Sequence, residues 1–100
     1  MSAANVQKLC ETTREKLKYA IEKMELFLNQ NALPQFGTED EEMVHFYQGF
    51  LSDLRHLLVF SEMSYEKLGV ALRRATFDES FAQKALYNVY HYGVNNFFYP

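Results

Sequence analysis

The chain has 100 residues, a formal net charge of −3 and one cysteine. One cysteine excludes the intrachain disulfide framework of small secreted domains, and the acidic balance argues against nucleic acid as a partner because phosphate contacts require a basic surface. The amino terminus has no signal-peptide pattern and no apolar run is long enough to span a bilayer, so we expect a cytoplasmic protein without a membrane partner.

The first segment carries the clearest helical pattern of the chain. Apolar or small residues recur at alternating steps of four and three, which is typical of a helix with one buried stripe. The stripe comprises Val6, Cys10, Thr13, Leu17, Ala20, Met24 and Phe27. Pro34 and Gly37 then favour a turn, because proline disfavours a helical conformation at the preceding residue.

The second segment opens with a capping signal and continues with the same spacing. Thr38 can cap a helix, and Glu41 can return the hydrogen bond in a capping box. The predicted apolar stripe comprises Met43, Tyr47, Phe50, Leu54, Leu57, Ser61, Tyr65, Leu68 and Leu72. The pattern allows one long helix or two helices with a bend near Phe60 to Ser64.

A third helix is predicted from about Phe77 toward Phe98. Thr76 and Glu79 form a second capping box, with Asp78 as an alternative cap. The short turn before this helix predicts that it lies antiparallel to the second. The fold expected is therefore all-α, an antiparallel up-down-up bundle of three long helices in a single domain, residues 1–100.

The last helix has two apolar faces. On a helical wheel, one stripe suits the core and comprises Ala82, Ala85, Leu86, Val89, Gly93 and Phe97. Tyr87, His91, Val94 and Phe98 recur at steps of four, three and four on the opposite side. This second face is either ordinary half-exposed surface or an interface, because tyrosine and histidine serve in both. We favour an interface, with a homodimer or another protein segment as the partner.

Two stretches carry a family resemblance, LRHLLVFSEMSYEKLGVAL at Leu54 to Leu72 and KALYNVYHYGVNNFFYP at Lys84 to Pro100. They resemble the YpuI-like proteins, an uncharacterised bacterial family of Firmicutes. The resemblance implies a small cytosolic protein without an assigned activity and brings no catalytic signature. It also implies that members continue past the aromatic segment, so that residues 1–100 could be the N-terminal part of a longer protein.

The alternative to an interaction module is a helical-bundle enzyme that binds metal or processes nucleic acid. Glu42 and His45 share one helix face, as in di-iron bundles, but two such units are needed and the sequence has one. His56 lies about 16 Å further along a straight helix, too far to share an ion with His45. No arginine precedes a histidine by the four to six residues that HEPN ribonucleases require. We therefore expect no catalytic, cofactor-binding or metal-binding residues.

Two further groups have simple structural interpretations. Cys10 lies on the apolar stripe of the first helix and is interpreted as a small core residue rather than a nucleophile. Arg73 and Arg74 end the second helix, where cations complement the helix dipole; the functional alternative is contact with phosphate or an acidic partner.

Overall fold

A computed structural model describes residues 2–30 and 41–93, which form three helices. These are α1 (Ala3–Gln30), α2 (Glu41–Arg73) and α3 (Glu79–Gly93). No strand occurs within the described residues, which confirms the all-α prediction. Helix α2 is continuous through Phe60 to Ser64, so of the two alternatives left open by the sequence the structure has the single long helix. The predicted cap at Thr38, the turn at Pro34 and Gly37, and the end of the third helix at Phe98 lie outside the described residues.

Contacts along α1 and α2 show how the two long helices pair. Arg14 contacts Tyr65, whereas Phe27 packs edge to face on Phe50 with ring centroids 6.0 Å apart. Residue numbers therefore rise along α1 as they fall along α2, which is the relation expected for an antiparallel pair. Helix α3 joins α1 through a 3.1 Å hydrogen bond between the hydroxyl groups of Thr13 and Tyr90.

The buried core lies where all three helices meet. Its residues are Val6, Cys10, Leu68, Ala71, Ala82, Ala85 and Leu86. Four of these are alanine or cysteine, and such small side chains allow helix backbones to approach closely. The predicted stripe of α1 is confirmed at Val6, Cys10, Thr13 and Met24, and that of α3 at Ala82, Ala85 and Leu86.

The predicted stripe of α2 is partly wrong. Leu68 and Ser61 are buried as expected, but Phe50 is 46% exposed. Leu51, Ser64 and Ala71 are buried although the stripe omitted them. Ala71 shares one buried cluster with Ala82, Ala85 and Leu86 of α3, so α3 covers part of α2 beside the predicted stripe.

The molecule is elongated for its length. The Cα radius of gyration is 17.0 Å and the principal extents are 57, 24 and 14 Å. A compact domain of this size has a radius of gyration of about 13 Å. A thin, extended shape leaves a large share of each helix at the surface, so exposed apolar side chains are expected beside the core.

The start of α3 differs from the predicted capping box. The backbone N–H of Phe81 donates to Asp78 Oδ1 at 3.1 Å, and the helix begins at Glu79 rather than Phe77. Asp78 is therefore the cap, and the preference for Thr76 was wrong. The same carboxylate accepts a 3.3 Å hydrogen bond from Arg74, which fixes it between the end of α2 and the start of α3.

Gly69 makes room for an arginine at the contact between α1 and α2. A Cβ atom at Gly69 would lie 2.8 Å from Arg14 Nη2 and 2.9 Å from Arg73 Nη1. Arg14 Nε donates to the carbonyl of Tyr65 at 3.3 Å, and the guanidinium lies 3.9 Å from the Tyr65 ring centroid. The glycine thus allows a half-buried cation to pack across α2.

Asp78→Ala is expected to lower the free energy of unfolding by about 1 kcal/mol, the usual value of an N-cap side chain. Thr76→Ala is the matched control and should change it by much less. Urea unfolding followed by circular dichroism measures both. A larger loss for Thr76→Ala would restore the capping box as the start of α3.

Gly69→Ala tests the space that Arg14 occupies. Alanine is a better helix former than glycine by about 1 kcal/mol, so the substitution should stabilise an Arg14→Ala, Arg73→Ala background, in which both neighbouring guanidinium groups are absent, by roughly that amount. In the wild-type background the gain should be smaller or reversed, because the new methyl group displaces the guanidinium groups. A double-mutant cycle of unfolding free energies measures this coupling. Equal effects in the two backgrounds would show that the arginines adjust without loss.

Candidate interaction surface

Tyr87 and His91 form an exposed aromatic pair on α3. The Tyr87 side chain is 62% exposed, and its ring stacks on His91 with centroids 4.9 Å apart and an interplanar angle of 13°. The two residues are one helical turn apart, as the spacing predicted. Val94 and Phe98, the other members of the predicted interface, lie outside the described residues. The structure therefore describes half of the proposed face.

The core of the protein lies on the other side of α3. Ala82, Ala85 and Leu86 are at most 6% exposed, whereas Tyr87 and His91 face solvent. This arrangement confirms the division of the helical wheel into a core stripe and an outer face. The aromatic pair is accordingly available for contacts outside this core.

A groove between α2 and α3 adjoins the aromatic pair. Its described lining comprises His56, Val59, Phe60, Met63, Lys67 and Asn88. Val59 is 54% exposed and Met63 is 58% exposed, which is unusual for apolar side chains beside a core. The groove was not predicted from the sequence, because a single buried stripe was assigned to α2. The sequence does contain an indication of it, because the apolar residues Val59 and Met63 lie outside the predicted stripe.

The described lining of this groove is basic. Lys67 and His56 line the groove, while Lys84 lines a neighbouring depression together with Tyr87 and Asn88. Of the described residues that line the two depressions, none is acidic. An occupant that offers carboxylates beside apolar groups would match this surface.

The candidate metal ligands do not come together. Across residues 2–30 and 41–93, no three side chains of histidine, cysteine, aspartate or glutamate converge as an ion would require. Continuous α2 separates His45 from His56 by about 16 Å. Glu66, an exposed carboxylate later on the same helix, forms a 2.9 Å ion pair with Arg73. The enzyme alternative thus gains no supporting geometry from the described part of the chain.

The arginines at the end of α2 contact groups of the same chain. Arg73 pairs with Glu66, and Arg74 pairs with Asp78 at 3.3 Å. The Arg74 guanidinium also lies 4.1 Å from the ring centroid of Phe81. The Arg74 contacts link the end of α2 to the start of α3, whereas the Arg73 pair lies within α2. Both arginines thus have structural partners in the described chain.

Cys10 is a core residue, as the sequence indicated. Its side chain is fully buried among α1, α2 and α3. Burial raises the pKa of the Cys10 thiol, and the neighbouring Glu11 carboxylate raises it further. Since the thiolate is the reactive form, this environment disfavours nucleophilic chemistry.

The described chain is an all-α protein with a small core, an exposed aromatic pair and a basic groove. None of its described helices meets the length and hydropathy needed to cross a membrane. The family described as "Protein of unknown function (DUF3907)" matches residues 10–100, and the chain belongs to that family. The family match brings no catalytic residues.

A curated relative agrees with this assignment. The "Uncharacterized protein YpuI" of Bacillus subtilis (strain 168) is 32% identical over 100 residues. The alignment covers 100% of this chain and 56% of that protein, so the chain spans little more than half of the relative's length. The resemblance to YpuI-like proteins is thereby confirmed. No solved structure matches the chain.

Alkylation of the native protein tests the environment of Cys10. Iodoacetamide at pH 8 should modify it at least about tenfold more slowly than the urea-unfolded chain, because burial excludes the reagent and keeps the thiol protonated. Cys10→Ala with Thr12→Cys is the matched control, since Thr12 is exposed two residues away on α1. That variant should react at a similar rate folded and unfolded. Fast alkylation of native Cys10 would contradict the buried position.

Proposed function

We propose that the protein is a non-enzymatic self-association module of the cytoplasm that forms a homodimer. Its contact surface is the outer face of α3, formed by Tyr87 and His91 and extended in the sequence by Val94 and Phe98. The observation that carries the proposal is the stacked, exposed pair of Tyr87 and His91.

A stacked pair is well suited to binding. Large aromatic side chains supply much contact area, and their rings have few torsions to immobilise. Because Tyr87 already stacks on His91, part of the ordering cost of association is met in the monomer. The rings also combine apolar faces with polar atoms, which is the composition enriched at protein interfaces.

The surroundings of the pair support an interface of useful size. The groove between α2 and α3 adds Val59 and Met63, both more than half exposed, to the apolar surface. Contiguous apolar surface of this kind marks interaction sites on soluble proteins. The cytoplasmic assignment is supported by the single, buried cysteine, which fits a reducing compartment.

Substitution of the aromatic face tests the function directly. Tyr87→Lys should convert the dimer to a monomer, because it places a fixed charge in an apolar contact. Tyr19→Lys is the matched control: Tyr19 is 63% exposed, against 62% for Tyr87, but lies on α1. Light scattering over a range of concentrations measures the molar mass, and circular dichroism confirms that helicity is retained.

The molar mass of the wild-type protein is the first test of the proposal. A dimer that Tyr87→Lys dissociates and Tyr19→Lys leaves intact is the expected outcome. A wild-type monomer at every concentration, or a dimer insensitive to Tyr87→Lys, would show that this face is not a self-association surface.

A further inference from the structure

Helix α2 carries a second heptad stripe beside its core face. Its N-terminal half comprises Glu42, Phe46, Gly49 and Asp53, at steps of four, three and four. All four residues are exposed, and Phe46 is the most exposed large apolar residue of the described chain at 75%. An acidic residue thus stands at each end of this half, with a phenylalanine and a glycine between them.

The C-terminal half continues the same spacing with opposite charge. It comprises His56, Phe60, Met63 and Lys67, again at steps of four, three and four, and it follows Asp53 by three residues. These residues line the groove beside α3. Met63 is 58% exposed and Phe60 is half-buried. The stripe is therefore acidic toward the start of α2 and basic toward its end.

The two halves of the stripe complement each other when a second α2 helix lies antiparallel to the first. In an antiparallel pair of helices with heptad stripes, first-position and fourth-position residues of the heptads face each other across the contact. A two-fold axis that passes between Leu54 and Arg55 places such positions of the two α2 helices opposite each other. It pairs Glu42 with Lys67, Phe46 with Met63, Gly49 with Phe60, and Asp53 with His56.

We propose that this stripe docks against the same stripe of a second copy, in an antiparallel contact with two-fold symmetry. The inference rests on the proposed self-association and specifies its geometry. The contact is isologous, so every pair occurs twice. The α2 contact then lies beside Asn88 of α3, which also lines the neighbouring depression that contains Tyr87.

Charge decides between this register and a parallel one. In a parallel pair, Glu42 would meet Glu42 and Lys67 would meet Lys67, and like charges in contact are unfavourable. In the antiparallel register both ends of the stripe form opposite-charge pairs. The second copy of the chain thereby supplies the carboxylates beside apolar groups that the basic groove accommodates.

Gly49 provides an independent argument. Among described residues, a Cβ atom at this position would meet no heavy atom within 4 Å, and its φ is not positive. Neither packing against the described residues nor its own backbone conformation therefore requires glycine at this position, although glycine weakens a helix interior. In the proposed register Gly49 faces the Phe60 ring of the second copy, and the missing side chain leaves space for that ring.

Charge exchange tests the register. Glu42→Lys and Lys67→Glu should each weaken dimerisation about tenfold, since every pair occurs twice and reversal makes both copies repulsive. The double variant should return to within about threefold of the wild type. Glu15→Lys, an exposed reversal on α1, is the control and should have little effect. Sedimentation equilibrium measures the dissociation constants, and circular dichroism checks folding.

Gly49→Leu gives a second readout that a folding defect cannot imitate. Leucine should raise the thermal unfolding midpoint of the dilute monomer because it favours helix, yet weaken dimerisation at least about tenfold by colliding with Phe60. A dimer dissociated by Tyr87→Lys but unaffected by the charge reversals would overturn this register and leave the proposed function standing. A wild-type monomer would overturn both and assign the stripe to a different protein segment.

Discussion

The close contact of three helices around Leu68 determines the arrangement of the rest of the molecule. Leu68 is completely buried, and its neighbours include Cys10, Ala71 and Ala82. Small side chains in this contact let both α1 and α3 approach α2 closely. Once those two sides of α2 are occupied, the helix periodicity fixes which residues point outward. The exposed stripe that starts at Glu42 and the groove beside α3 are consequences of that packing.

Much of the fold follows from local sequence patterns. Alternating steps of four and three identified the fully buried residues described on α1 and α3, although Phe27 at the end of the predicted α1 stripe is 37% exposed. The same reasoning was incomplete for α2, where Leu51 and Ser64 are buried although they lie outside the predicted stripe. The start of α3 was misplaced because Thr76 and Asp78 are both competent caps. Only the observed hydrogen bond from Phe81 to Asp78 distinguishes them.

The candidate surface was predictable only where it lies on one helix. Tyr87 and His91 were identified because their spacing opposes the core stripe of α3, and one helical wheel contains that information. The groove needs Met63 on α2 and Asn88 on α3 to lie side by side, which no single-helix pattern specifies. The charge pattern along α2 becomes informative only once α2 is known to be continuous, because a bend near Phe60 would separate its halves.

The uneven distribution of the core gives the molecule a gradient of local stability. Val6, Cys10 and Leu68 are enclosed by three helices, whereas Phe27 and Phe50 at the other end of the hairpin remain partly exposed in an edge-to-face pair. Segments with fewer buried contacts open at lower free-energy cost than the core. Amide protons near Leu68 should therefore exchange through near-global unfolding, while those around Phe50 exchange through local opening. Association along α2 would slow amide exchange mainly at the less stable end, around Phe50. The two ends of the molecule would then unfold more cooperatively when a partner is bound.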